Sequence, residues 1–256
     1  LYDYRKMKYL DIIFYKTWAD LRAEASRAYI GFLWWFIEPI LYMGTFYVLF
    51  GLGLRMGGEG FVYFLLCGLI PWKWFSSTIS NGSRAIEAGA GMIHQVYLPK
   101  VILPTIIVCI NTVKFLIILP ILMIFLVLSG YGIEVSWLAM PLLIALQLLM
   151  VWSLTSFCAA LVPFVPDLRY VIENGLLLLM FVSGVFFDID GLSGTIRTVL
   201  YLNPMAVLID SYREVLLLGS WPGMAGLIYV LSFSIVFAVI SWWLLVRFDR
   251  RYPKVL

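Results

Sequence analysis

The chain has 256 residues, of which 63% are hydrophobic, 17% aromatic and only 13% charged, with a mean hydropathy of +0.97. A soluble domain carries about twice that share of charge, so the composition excludes one and indicates an integral membrane protein. The net charge of +3 is small, and the basic residues sit at the ends and in short loops rather than in one patch, which argues against nucleic acid as a partner.

In chain order, Arg5, Lys6 and Lys8 lead into an amphipathic stretch and not into an apolar core with a cleavage site, so no secretory leader is expected. Residues 5–27 place Leu10, Ile13, Phe14, Trp18, Leu21 and Ala25 on one helical face, with Asp11, Lys16, Asp20, Arg22, Glu24 and Arg27 mainly elsewhere. That pattern predicts an interfacial helix within 1–29, lying among the headgroups. Apolar runs at 30–54, 61–81, 101–129, 137–162, 170–187 and 223–246 predict six spans, the fifth close to the lower length limit. The expected fold is a single all-α permease-like membrane domain over 1–256.

Two segments between spans carry their own patterns. The break at 84–100 holds Met92, Ile93, Val96 and Tyr97 at helical spacing, after Gly89 and Gly91 and before Pro99, which predicts a short surface helix. An apolar stripe at the membrane edge needs a partner, either lipid headgroups or another protein. The segment 188–219 alternates charge, glycine and apolar stripes too short to cross, which predicts two re-entrant half-helices at one face. Lysine and arginine counts place both termini and the central break in the cytoplasm, leaving only Arg55, Arg197 and Arg213 outside, a bias of about fourfold.

No GxxxxGK[ST] phosphate loop occurs, so ATP-driven work by that route needs a separate subunit. The one histidine, His94, reads as a surface or partner-contacting residue and not as a catalytic base, and no enzymatic or metal centre is expected. Cys67, Cys109 and Cys158 lie inside apolar runs and read as inert thiols. Glu38, Lys73 and Lys114 lie inside spans, where a charge costs at least ~2.5 kcal/mol, so each either lines a pathway, joins an internal ion pair or snorkels. Trp35, Phe36, Tyr42, Phe46, Phe64, Trp72 and Phe75 either anchor the chain at the interfaces or form a wall that stacks on sugar rings.

The stretch LRAEASRAYIGFLWWFIEPILYMGTFYVLFG, with Ile30, Gly31, Phe32, Leu33, Trp34 and Pro39, resembles the first span of type-two ATP-binding-cassette exporter permeases. Within them it is most similar to the polysaccharide branch, the Wzm-type O-antigen exporters. GLIPWKWFSSTISNGSRAI and QVYLPKVILP resemble that family's second span and coupling segment, at Gly68, Pro71, Trp72, Phe75, Ser83, Ile86, Val96, Pro99, Lys100 and Pro104. LNPMAVLIDSYREVLLLG is similar to its late Asn-Pro, Tyr-Arg and Gly pattern, at Asn203, Pro204, Tyr212, Arg213 and Gly219.

The resemblance implies a homodimeric channel subunit in a bacterial inner membrane, with two separate ATPase subunits that hold ATP and Mg, and a polysaccharide on an undecaprenyl diphosphate anchor as cargo. It implies coupling to the ATPase through Ile86, Glu87, Met92, Ile93, His94, Val96 and Tyr97. A substrate entrance would use Arg22, Arg27, Arg84 and Lys100. A channel lining would use Trp35, Glu38, Tyr42, Phe46, Trp72, Lys73 and Phe75. An external gate would use Phe187, Asp188, Leu192, Ile196, Asn203, Pro204, Tyr212 and Arg213. The alternatives are the same family with teichoic acid, capsule, drug or another lipid as cargo, an ion-coupled secondary transporter, and a membrane scaffold that moves nothing.

Overall fold

The computed structural model describes residues 2–27, 60–95, 98–192 and 194–255, with scattered positions between 33 and 49; the side chains of residues 2–8 and Arg27 fall outside it. Trp35, Glu38, Tyr42, Phe46, Val96 and Tyr97 lie outside the described residues, as does most of the predicted first span. Every regular element among the described residues is helical. These are α1 (Tyr2–Arg27), α2 (Phe61–Ser83), α3 (Ala85–Ala88), α4 (Ala90–Gln95), α5 (Ile102–Leu128) and α6 (Met140–Leu161). They continue with α7 (Leu168–Val182), α8 (Thr195–Leu200), α9 (Pro204–Leu216), α10 (Met224–Phe248) and α11 (Tyr252–Val255). A 3-10 turn, Val135–Ala139, leads into α6.

Among the described residues, three helical stretches are long and apolar enough to cross a bilayer: Ile102–Leu128, Val135–Leu161 and Met224–Phe248. Their outward surfaces stay apolar, with Ile117, Ile121 and Ile124 on α5 and Val239, Trp242 and Trp243 on α10 all exposed. A helix apolar on its outer face is solvated by lipid, so the chain is a multi-pass membrane protein. At the predicted second span, α2 has 23 residues but carries Pro71 and Lys73. At the predicted fifth, α7 has 15 residues, about 22 Å of helix against a hydrocarbon core of about 30 Å.

The core forms where α2, α5, α6, α9 and α10 meet, around fully buried Leu143, Met150, Val151, Leu208, Ile209 and Val230. Two polar ties fix it. Buried Gln147 on α6 donates through Nε2 to the Pro71 carbonyl at 2.8 Å, at the point where proline interrupts the ladder of α2. Trp152 Nε1 donates to Thr105 on α5 at 3.0 Å.

Three sequence expectations change in form. The central break is two short helices and not one, with Gly89 between them, and a Cβ at Gly89 would lie 2.7 Å from the Leu103 side chain. The absence of a side chain at Gly89 thus lets the break approach Leu103 of α5 closely. The inner face of α1 is covered by protein: Leu21 is buried with Leu98, Ile102, Ile106 and Ile110, and Tyr9, Ile12 and Ile13 pack beside them. Of the predicted pair of half-helices, α9 is inserted among α2, α6 and α10 with nine buried residues, while α8 has none.

Candidate translocation site

A cavity of about 670 Å³ opens between α1, α2, α5 and α7. On α2 it is lined by Lys73, Ser76, Ser77, Ser80 and Asn81, at spacings of three or four residues, so they form one polar stripe along a helix that is otherwise apolar. Opposite stand Asn111 and Lys114 of α5, with Trp34, Trp72, Trp74 and Phe115 supplying flat apolar surface. Ser76 and Ser77 donate back to the Lys73 carbonyl, and Asn111 Nδ2 donates to the Ile107 carbonyl at 3.0 Å, which leaves their oxygens as acceptors toward the cavity. The wall thus presents hydrogen-bonding oxygens and aromatic faces together.

Among the predicted channel residues, Trp72 and Lys73 line this cavity. Phe75 is a correction: it is 3% exposed and packs in the core beside Trp72, ring centroids 5.3 Å apart, because its position on α2 faces the helical bundle. The serine and asparagine stripe was missed by the sequence reading, although its helical spacing inside an apolar run was the available signal.

Of the predicted entrance cations, Arg84 and Lys100 are paired with carboxylates, and so is Lys114, predicted as a charge inside a span. Arg84 pairs with Glu173 of α7, both half exposed. Lys114 reaches from mid-α5 to Glu24 on α1, at 2.6 and 2.7 Å, tying α1 to the cavity wall. Arg22 is exposed. Lys100 is a second correction: it is 3% exposed and pairs with Asp249 at 3.5 Å, so it fastens the central break to the end of α10 and is not open to an entering anion.

The coupling segment shows the largest rearrangement of roles. Ile86, 0% exposed, and Ile93, 7% exposed, point inward onto Leu103, Ala159, Ala160, Leu245 and Tyr252, and Met92 packs toward Leu98 and Ile102. Ile93 and Met92, the two described members of the predicted apolar stripe, thus pack on the chain's own helices. His94 and Gln95 are the side chains of α4 left facing water, with Glu87 half buried.

The segment that joins α7 to α9 is held by a buried cation. Arg213 of α9 is 5% exposed. Its Nε donates to the Phe64 carbonyl at 3.2 Å, Nη1 to Gly184 at 2.8 Å and Nη2 to Val185 at 2.9 Å, and its guanidinium lies 3.4 Å from the Phe64 ring centroid. Two glycines make room. A Cβ on Gly68 would meet the guanidinium at 2.8 Å, and Gly184 has φ +70 with Ile189 2.7 Å from any added Cβ. Asn203 caps α9, accepting from the Met205 amide at 3.0 Å ahead of Pro204, and donates to Ser183 at the end of α7 at 2.7 Å. Tyr212 is fully buried in the same core, whereas Asp188 and Ile196 are exposed and Phe187 and Leu192 are half buried.

Tyr201 bridges two carboxylates, contacting Asp190 at 3.0 Å and also Asp210, while Arg197 pairs with Asp190 at 2.6 Å. Burial and then the two carboxylates push the Tyr201 phenol above its usual range, so it remains a proton donor. Tyr201→Phe removes the only proton in that bridge and leaves two carboxylates facing each other. Amide exchange across 195–203 is expected to quicken in this variant by about fivefold; unchanged exchange would show that the bridge does not hold α8.

Residues 14–217 match the model of the ABC-2 type transporter family, four-fifths of the chain. The chain belongs to the ABC-2 type transporter family. This ABC-2 chain is 29% identical over 221 residues to the O-antigen export system permease protein RfbA of Myxococcus xanthus, covering 85% of the chain and 84% of that relative. It is 26% identical over 221 residues to RfbA of Klebsiella pneumoniae, covering 84% and 85%. It is 25% identical over 229 residues to the polysialic acid transport protein KpsM of Escherichia coli, covering 85% of each. The family match includes the second half of α1, the cavity wall, the coupling segment and α9, so all of the geometry above except α10 and α11 lies within it.

Proposed function

We propose that this ABC-2 transporter chain is the membrane subunit of an exporter that moves a lipid-linked polysaccharide, of the O-antigen kind, from the cytoplasm across a bacterial inner membrane. A second copy of the chain completes the channel, and two separate ATP-binding subunits, holding ATP and Mg, drive it. The carrying observation is the cavity lined both by a polar serine and asparagine stripe and by tryptophans, since a glycan offers hydroxyls to the first and apolar C–H faces to the second. The relatives in O-antigen export favour that cargo over the teichoic acid, capsule or drug alternatives. A diphosphate anchor arriving from the cytoplasm would first meet Arg22, Arg27 and Arg84. Six spans, with α2 and α7 as the second and fifth, a headgroup-level α1 exposing Leu10, Phe14 and Trp18, and an outer gate over 188–219, complete the architecture.

Purification of the chain from its native membrane tests this reading: a stoichiometric partner with a phosphate loop and vanadate-sensitive ATP turnover is the expected outcome. Absence of an ATP-binding partner, with transport collapsing when ion gradients are dissipated, would favour the secondary transporter instead. Within the cavity, Lys73→Leu is expected to lower export about tenfold while leaving assembly intact, because it removes a half-buried charge from the polar stripe. Export at the unsubstituted rate would place Lys73 outside the pathway.

A further inference from the structure

We infer that the C-terminal segment, α11 with the two arginines before it, forms part of the surface that receives the ATPase subunit, and that Tyr252 is the residue that positions it there. This rests on the ATP-driven function proposed above. Tyr252 is 0% exposed; its hydroxyl donates to the Ala160 carbonyl at the end of α6 at 3.1 Å, and its ring lies 5.2 Å from that of Phe164. Burial pushes that phenol above its usual range, so it stays a donor.

The same packed cluster contains Ile86 of α3, Ile93 of α4, Leu103 of α5 and Leu245 of α10. One apolar plug therefore joins the coupling segment to the chain's last helix, and the Lys100–Asp249 pair at 3.5 Å fastens them a second time. A spanning helix needs nothing of the kind after its last turn, and α10 ends at Phe248. What the plug achieves is a fixed position for α11, packed on α4.

That position decides what faces outward. Arg250, Arg251 and Lys254 are exposed on and just before α11, which packs on α4, the helix that carries exposed His94 and Gln95, so a polar face with three cations adjoins the coupling segment. Because this surface is continuous with the coupling segment, its occupant is the ATPase subunit, presenting acidic side chains to these cations. Anionic lipid headgroups share that chemistry, and the experiment separates the two.

In the complete permease–ATPase complex, Arg250→Glu, Arg251→Glu and Lys254→Glu are introduced together, all at exposed positions. ATPase retained on the purified permease is expected to fall on the order of tenfold, with a weaker dependence on salt. In parallel, Tyr252→Ala is expected to lower export per ATP hydrolysed, and Tyr252→Phe, which keeps the ring, to restore most of it. A merely structural Tyr252 would change yield without changing that ratio. Unchanged ATPase retention in the triple variant overturns the assignment, and so does a loss confined to binding of vesicles containing anionic phospholipid. If the unsubstituted chain retains no ATP-binding subunit, the ATP-driven function itself fails, and this assignment with it.

Discussion

Replacing Arg213 with methionine is expected to cost on the order of 4 kcal/mol and to abolish recovery of a monodisperse protein in detergent. The guanidinium serves three carbonyls from two separate stretches, Phe64 on α2 and Gly184 and Val185 after α7, and stacks on the Phe64 ring. Methionine fills much of the volume but leaves all three acceptors without that donor in a site closed to water. Arg213→Lys tests the geometry: an ammonium on a flexible stem cannot span three divergent carbonyls, so it should recover only part of the loss. Thermal unfolding of the purified chain measures both, and a methionine variant melting with the unsubstituted protein would show that the segment joining α7 to α9 is held by packing alone.

The second large effect separates the two faces of the coupling segment. Ile86→Asp places a carboxylate in the plug shared by α3, α5, α6 and α10, at a cost of at least ~3 kcal/mol, and is expected to reduce folded protein sharply. Substituting aspartate for His94 or alanine for Gln95, both exposed, should leave yield and melting unchanged while lowering export per ATP. The comparison uses yield, melting and coupled transport on the same preparations. A well-folded Ile86→Asp that is merely uncoupled would mean that the apolar stripe faces the ATPase after all.

Long apolar runs made the helices legible. Spans three, four and six follow from length and hydropathy, and α2 and α7 fall within a few residues of their expected bounds. The short helices between α2 and α5 were also legible, since 84–100 is a polar break between two such runs. Their facing was not. Periodicity places Met92 and Ile93 on one stripe, but only the arrival of Leu103, Ala160 and Tyr252 from distant parts of the chain decides that Ile93 is covered.

Arg213 shows the same limit. Its sequence position suggested an external gate residue, whereas its carbonyl partners lie 149 and about 30 residues away and could not be read locally. Lys100 likewise looked like a mouth cation until Asp249 came beside it. The stripe of Ser76, Ser77, Ser80 and Asn81 was readable by spacing alone, because polar groups one helical turn apart in an apolar helix share a face.

The central claim is ATP-driven movement of a lipid-linked glycan through this chain. The most direct measurement reconstitutes the permease with its ATP-binding partner in vesicles loaded on one face with a diphosphate-linked oligosaccharide. Accessibility of the sugar to an impermeant lectin on the opposite face is then followed. The account predicts that accessibility rises with ATP, stops with vanadate and falls about tenfold in Lys73→Leu. Sugar that stays on its original face despite ATP hydrolysis, or that crosses only under an imposed ion gradient, would contradict it.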